Sequence, residues 1–136
     1  MKTRAYKPGD ENFITPNEFA SDWEENRQDY LKQFEMGQTY TIEDDNGKIQ
    51  AIANCYRFNK SKKLIYGWFL KNKDANPLFI VEVKKIVKKY LQNDFILYTL
   101  SIDGKMQDKM HKYLGFKKVR KTGGGWLWVA HHHGIR

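Results

Sequence analysis

The sequence predicts an α/β (α+β) fold, one mixed sheet with helices on its faces, in the order β-α(α)-β-β-β-α-β-α-β-β. Three observations predict it. Short runs that alternate apolar and polar residues, or are apolar throughout, recur between turns rich in Gly, Asn and Asp. Longer stretches between them space apolar residues three and four apart, the period of a half-buried helix. And 136 residues, 40% hydrophobic and 15% aromatic, suffice for one compact core. Residues 1–136 are therefore expected to form a single domain.

Thr3-Arg4-Ala5-Tyr6 reads as a short first strand, ended by Lys7-Pro8-Gly9-Asp10, a turn by composition. Thr15-Pro16-Asn17-Glu18 has the form of a capping box, with Pro16 where its missing N–H costs nothing. Phe19, Trp23, Tyr30, Leu31 and Phe34 recur at helical spacing up to Gly37, with a break expected near Asn26. The segments 39–43 and 49–56 alternate around Asp44-Asp45-Asn46-Gly47, a strong hairpin signal. A turn at 59–62 leads into the apolar run 64–70, which suits a central strand covered on both faces.

Pro77 opens a helix whose stripe is Phe79, Ile80, Val83, Ile86, Val87, Tyr90 and Leu91. Lys84, Lys85, Lys88 and Lys89 fall on its other faces, late enough to suit the dipole. The run 95–102 reads as a buried strand. Asp103-Gly104 then turns the chain into a helix carrying Met106, Met110 and Leu114 and closed by Gly115. Strands at 116–120 and 126–130 finish the chain, joined by the loose turn Gly123-Gly124-Gly125.

The chain holds 24 Lys and Arg against 16 Asp and Glu, a net charge of +8. Solubility accounts for such an excess, and so does an anionic partner: nucleic acid, a phosphate-bearing cofactor or an acidic protein. The single Cys55 excludes an internal disulfide and a multi-Cys metal site, and suits a reducing compartment. No apolar run approaches the roughly 20 residues of a membrane span, and residues 1–5 lead into no signal-type core. A cytoplasmic location is expected. His131-His132-His133 cannot converge on one metal ion, because adjacent strand residues point to opposite faces. A surface tail, or part of an expression tag, is the plainer account, and no metal is expected.

With that order of elements, Met110-His111-Lys112-Tyr113-Leu114-Gly115-Phe116-Lys117-Lys118-Val119 resembles the closing helix and strand of the GNAT N-acetyltransferase superfamily. The resemblance in element order covers nearly the whole chain. Gly115 suits the left-handed C-cap, after which Phe116 packs into the sheet. The resemblance implies acetyl-CoA as cofactor and an amine as acceptor. In that family a loop typically written Gln/Arg-x-x-Gly-x-Gly/Ala after the fourth strand cradles the CoA pyrophosphate on backbone N–H groups. The matching segment here is Leu70-Lys71-Asn72-Lys73-Asp74-Ala75-Asn76-Pro77, which has no glycine. By position, the resemblance assigns cofactor contacts to Phe69, Leu70, Lys71, Asn72 and Lys73, with the two lysines holding phosphate by charge.

Family members commonly place a Tyr four residues before the helix-closing glycine, to protonate the leaving thiolate. His111 holds that position here, and Tyr113 sits two residues later on a different helical face. The resemblance implies His111 or Tyr113 as general acid and Glu43 or Asp103 as base. A surface position on a charged helix is the blander reading of His111. A degenerate version of the fold occurs in small phage proteins similar to the internal virion proteins of short-tailed phages. The short length, Lys-rich composition and eroded loop resemble that group, which implies a virion component or a partner among host proteins, in the host cytoplasm or virion.

Trp126 and Trp128 share one face of the last strand, Leu127 and Val129 the other, and one of these faces is core. Were the Trp face exposed beside Lys112, Lys117, Lys118, Arg120 and Lys121, it would hold single-stranded nucleic acid. Three functions are open: acetyl transfer to an amine, a catalytically inactive interaction protein, and a nucleic-acid binder.

Overall fold

A computed structural model describes residues 1–16 and 23–132. Asn17 and Glu18 of the expected capping box, Phe19 and His133 lie outside these residues. The elements are β1 (Lys2–Ala5), a 3-10 turn (Asp10–Phe13), α1 (Arg27–Met36), β2 (Gln38–Glu43), β3 (Ile49–Tyr56), β4 (Leu64–Lys71), α2 (Phe79–Gln92), β5 (Ile96–Ser101), α3 (Lys105–Leu114), β6 (Lys117–Thr122) and β7 (Gly125–Ala130). The strands are ordered β1-β2-β3-β4-β5-β7-β6. The β4–β5 pair is parallel; β1–β2, β2–β3, β5–β7 and β6–β7 are antiparallel. This is the mixed α/β sheet that the pattern of elements predicts. Two compact units make up the chain, Met1–Tyr56 with Trp68–Glu82, and Arg57–Gly67 with Val83–Arg136.

The first unit is held by aromatic packing over β3, which is buried along its whole length except Tyr56. Ile14, Trp23, Phe34, Ile49, Ile52 and Leu70 form its core. Phe34 stacks on Trp68 at 5.2 Å and Trp23 on Tyr30 at 5.6 Å. Fully buried Asn54 donates to the Gln33 carbonyl and to Thr39 Oγ1 and accepts from Trp68 Nε1, so α1, β2, β3 and β4 share one satisfied polar group. Residues 23–26 form a turn and α1 starts at Arg27. Gly37 ends α1 because nothing larger fits, since a Cβ there would lie 2.6 Å from the Cys55 carbonyl oxygen.

In the second unit Leu97, Thr99, Trp128 and Ala130 turn to one face and are buried with Leu114 and Phe116. The part of α2 in this unit buries Val83, Ile86, Val87 and Leu91 and meets α3 where the Lys84 ammonium lies 4.2 Å from the Tyr113 ring. Gly115 takes the left-handed C-cap conformation at φ +99°, and the Phe116 amide reaches back to the His111 carbonyl, as the Leu-Gly-Phe segment predicts. The turn before β7 is a tight one, Gly123 and Gly124 between the paired Thr122 and Gly125, and Gly125 itself lies so close to β5 that a Cβ there would meet the Ser101 carbonyl oxygen at 2.1 Å.

Two expectations fail here. The run 64–70 reads as a strand covered on both faces, and 95–102 as a buried strand. Instead Leu64 is 41%, Ile96 40% and Leu100 53% exposed. Both helices of this unit pack on the Leu97 side, so these alternate residues have no cover. Met106, expected to carry the apolar side of α3, is also exposed.

Candidate functional site

The segment from the end of β4 to the start of α2 is where the resemblance puts the phosphate cradle. Leu70 is core, and Phe69 packs edge-on against Phe79 at 5.5 Å. Asn72 is 4% exposed and its amide side chain is fully used: Oδ1 accepts from the Thr15 amide at 2.6 Å, and Nδ2 donates to the Ile49 and Phe13 carbonyls at 2.7 and 3.1 Å. It staples three stretches of backbone, which leaves no polar atom over for a cofactor.

The backbone of the same segment is equally committed. The amides of Asn72 and Lys73 donate to the Gln50 and Thr15 carbonyls, and that of Ala75 to the Asn72 carbonyl. Asn76 donates to Gln50 Oε1, while its own Oδ1 caps Leu78. Phe79, Ile80 and Val81 bond three residues back. Pro77 has no N–H. From Asn72 to Val81 every amide but that of Asp74 is thus donated within the chain. Asp74 adds a carboxylate, which Lys48 Nζ meets at 3.1 Å and holds below its usual range. A pyrophosphate cradle needs free amides and close backbone approach. The residues present do not fit one; only the Lys71 and Lys73 side chains offer charge.

Among the candidate catalytic groups, His111 is 7% exposed, so it is no surface residue. Its ring stacks on Trp128 at 5.0 Å and meets Phe116 edge-on at 6.1 Å. Nδ1 donates to the Gln107 carbonyl at 2.6 Å, which fixes the tautomer. Burial pushes its pKa down, against the opposing pull of that carbonyl and of Asp108, so the ring is neutral at pH 7. Tyr113 is 42% exposed beneath Lys84, and Asp103 accepts a hydrogen bond from Trp126 Nε1. No hydrogen bond joins His111, Tyr113 and Asp103 among the described residues.

Glu43 belongs to the first unit and is spent on ion pairs. Lys2 Nζ lies 3.2 Å from Oε1 and Arg4 Nε 3.1 Å from Oε2, and these two bonds hold its pKa down. A carboxylate made a weaker base in this way is a poor proton acceptor. The same Arg4 grips Asp10 through both oxygens, at 2.9 and 3.1 Å. Burial alone would raise the Asp10 pKa, but the bonds from Arg4, the Lys7 amide and the Thr41 hydroxyl outweigh it and keep it below the usual range. A depressed folded-state pKa contributes stability that is present above the unfolded value, near 3.9, and is lost as pH falls through the folded one. Arg4→Met is therefore expected to lower the urea midpoint at pH 7 and to leave it nearly unchanged well below pH 3, measured across that range by fluorescence.

The basic residues at 117–121 do not form one patch. β6 pairs Lys117 with Val129 and Arg120 with Leu127, on the face away from the helices. Lys118 pairs with Trp128 and Lys121 with Trp126 on the helix side, where Lys118 Nζ contacts Asp108 and lies 4.1 Å from the Trp126 ring. Trp128 is 1% exposed, so the Trp face is core and no stacking surface. Charge is divided by unit. The first holds 8 Lys and Arg against 13 Asp and Glu, net −5, and the second 16 against 3, net +13, which restores the total of +8. Cys55 is buried, as a lone Cys in an alternating strand is expected to be. No His, Cys, Asp and Glu group able to hold a metal exists among the described residues, and no helix of the described chain is long and apolar enough to cross a membrane. The residues that sequence reasoning missed are Gln50 and Asn76; the Asn-Pro pair before the α2 stripe was a legible capping signal.

No family model matches the sequence, and no curated protein matches it. Solved structures do match its fold. A spermidine N-acetyltransferase from Vibrio cholerae, in complex with CoA and spermine, aligns with a TM-score of 0.68 at 10% identity over 98% of this chain and 96% of its own. A point variant of that enzyme aligns at 0.71 and 11% identity, over 99% and 97%. A GNAT-superfamily phosphinothricin acetyltransferase from Sinorhizobium meliloti, in complex with AcCoA, aligns at 0.64 and 14% identity, over 95% and 84%. The chain thus has the GNAT fold, as its closing helix and element order suggest.

Proposed function

We propose that this chain is a GNAT-fold protein that works by binding a partner and not by transferring an acyl group. The observation that carries the reading is the segment 72–81, whose amides, that of Asp74 apart, are already bonded within the chain. The charge of Asp74 and the locked ring of His111 support it. On this reading the GNAT scaffold is kept for its surface, as in an interaction protein of a virion or of a phage's host. The test is isothermal calorimetry with acetyl-CoA at millimolar concentration, paired with a thermal-shift scan. Neither heat nor a rise in Tm is expected, whereas saturable binding would overturn the reading.

A second reading, acetyl-CoA-dependent transfer to an amine, is favoured by one feature of β4. Lys71 at the end of that strand and Lys73 just beyond it offer charge to a phosphate. These two side chains would be the contacts available to an acyl-CoA. The neighbours in complex with AcCoA or with CoA and spermine lend this reading its substrate classes. Turnover of acetyl-CoA in the presence of a polyamine that is lost in Lys71→Ala/Lys73→Ala would establish it.

A further inference from the structure

The face of the second unit turned away from α2 and α3 exposes Leu64, Ile96 and Leu100, with Tyr66 and Tyr98 half-buried among them, and its composition is ordered by the strand register. One rung across it runs Lys117, Val129, Tyr98, Tyr66, and the next runs Arg120, Leu127, Leu100. Directly paired residues share a face, so each rung carries a cation at the sheet edge and apolar or aromatic side chains inward. Ile96 and Leu64 flank the first rung. The Tyr66 and Tyr98 rings lie 5.2 Å apart, and Phe58, 63% exposed, lies 6.2 Å from Tyr66. The turn that carries Phe58 also holds Lys60, Lys62 and Lys63, all exposed. No Asp or Glu stands on either rung.

We propose that this face binds single-stranded nucleic acid, with Phe58, Tyr66 and Tyr98 as a stacking platform and Lys117, Arg120 and the lysines at 60–63 against the phosphates. Three considerations select this occupant. The unit's +13 calls for a polyanion, because 16 cations are answered by only 3 carboxylates. Three rings in sequence, Phe58 exposed and Tyr66 and Tyr98 half-buried, suit bases, whose flat faces are available only when the strand is single. And cations at both borders of the platform follow a backbone that passes over it. The location corrects the expectation from sequence: the platform is the Tyr66–Tyr98 face, and Lys118 and Lys121 point away from it. The inference deepens the binding reading by naming the partner. Acetyl-CoA calorimetry tests that reading and oligonucleotide titration tests this one, so either can fail alone.

Fluorescence anisotropy with a labelled oligothymidylate of about 15 nucleotides, a length within reach of a single platform, is the test. Binding is expected at about 50 mM salt, weakening at least tenfold by about 200 mM. Phe58→Ala, at a position 63% exposed, is expected to weaken it about tenfold while a far-ultraviolet circular dichroism spectrum like the parent's shows the fold kept. Lys117→Glu/Arg120→Glu is expected to weaken it by more than tenfold. Lys88→Glu/Lys112→Glu makes the same change of charge on the exposed side of the helices and is expected to weaken it far less. The proposal is overturned by absence of binding at low salt, by equal loss in the two charge-reversal pairs, or by an unchanged Phe58→Ala. Equally tight binding of polyglutamate, which would assign the face to an acidic protein, or of duplex DNA also overturns it.

Discussion

Trp128→Ala is expected to lower the unfolding free energy by about 3–5 kcal/mol, the largest loss that a single truncation in the second unit should produce. Trp128 is 1% exposed at the middle of β7. It stands opposite Thr99 of β5 and Lys118 of β6 in the ladder, and its ring is covered by His111 at 5.0 Å. Truncation removes the transfer energy of a large ring and leaves a cavity that β5 and β7 cannot close without breaking their ladder. A natural domain is stable by only about 5–15 kcal/mol, so the variant loses a large fraction of its stability. Urea unfolding followed by far-ultraviolet circular dichroism checks it. Trp128→Phe should lose clearly less, because a ring still faces His111. A loss below about 1 kcal/mol for the Ala variant would mean that this face is not the core described here.

The second large effect is expected at Asn72, a polar residue in a segment that would be a ligand loop in an acetyltransferase. Asn72→Leu leaves the Thr15 amide and the Phe13 and Ile49 carbonyls without their partner. Each orphaned buried group costs about 1–3 kcal/mol, and since neighbouring losses do not add, about 3–5 kcal/mol in all is the expectation. Asn72→Asp separates the roles of the two side-chain atoms. It keeps the acceptor for Thr15 but sets a carboxylate oxygen against two carbonyls. Its deficit should therefore shrink as pH falls through the carboxylate range, where a protonated oxygen can donate again. Were Asn72 a phosphate contact with no structural duty, both variants would unfold at the same urea concentration as the parent.

Much of this fold was legible because its punctuation is chemical. Gly37, the hairpin at 44–47, Pro77 and Gly115 each mark a boundary that the structure keeps within a residue or two. The parallel β4–β5 pair and the bare outer face of β5 were not legible. An apolar run such as 64–70 reads the same whether one face or two are covered, and only the placement of α2 and α3 decides it. The candidate site divides in the same way. The missing glycines and the displaced Tyr were visible in the sequence. What fills their place was not: the reach of Asn72 back to Phe13 and Thr15 joins residues far apart in the chain, and no local pattern announces it. Glu43 illustrates the opposite error, since a carboxylate at a strand end looks available until Lys2 and Arg4 of the neighbouring strand close on it.

The measurement that bears most directly on the closed segment is a nitrogen-15 heteronuclear correlation spectrum of the amides of Asn72, Lys73, Asn76 and Leu78, recorded while acetyl-CoA is added. With their acceptors already inside the chain, these four resonances are predicted to stay in place up to millimolar ligand. A saturable shift of the four together, moving toward the values of a phosphate-bonded amide, would contradict the account and return the protein to the acetyltransferases whose fold it shares.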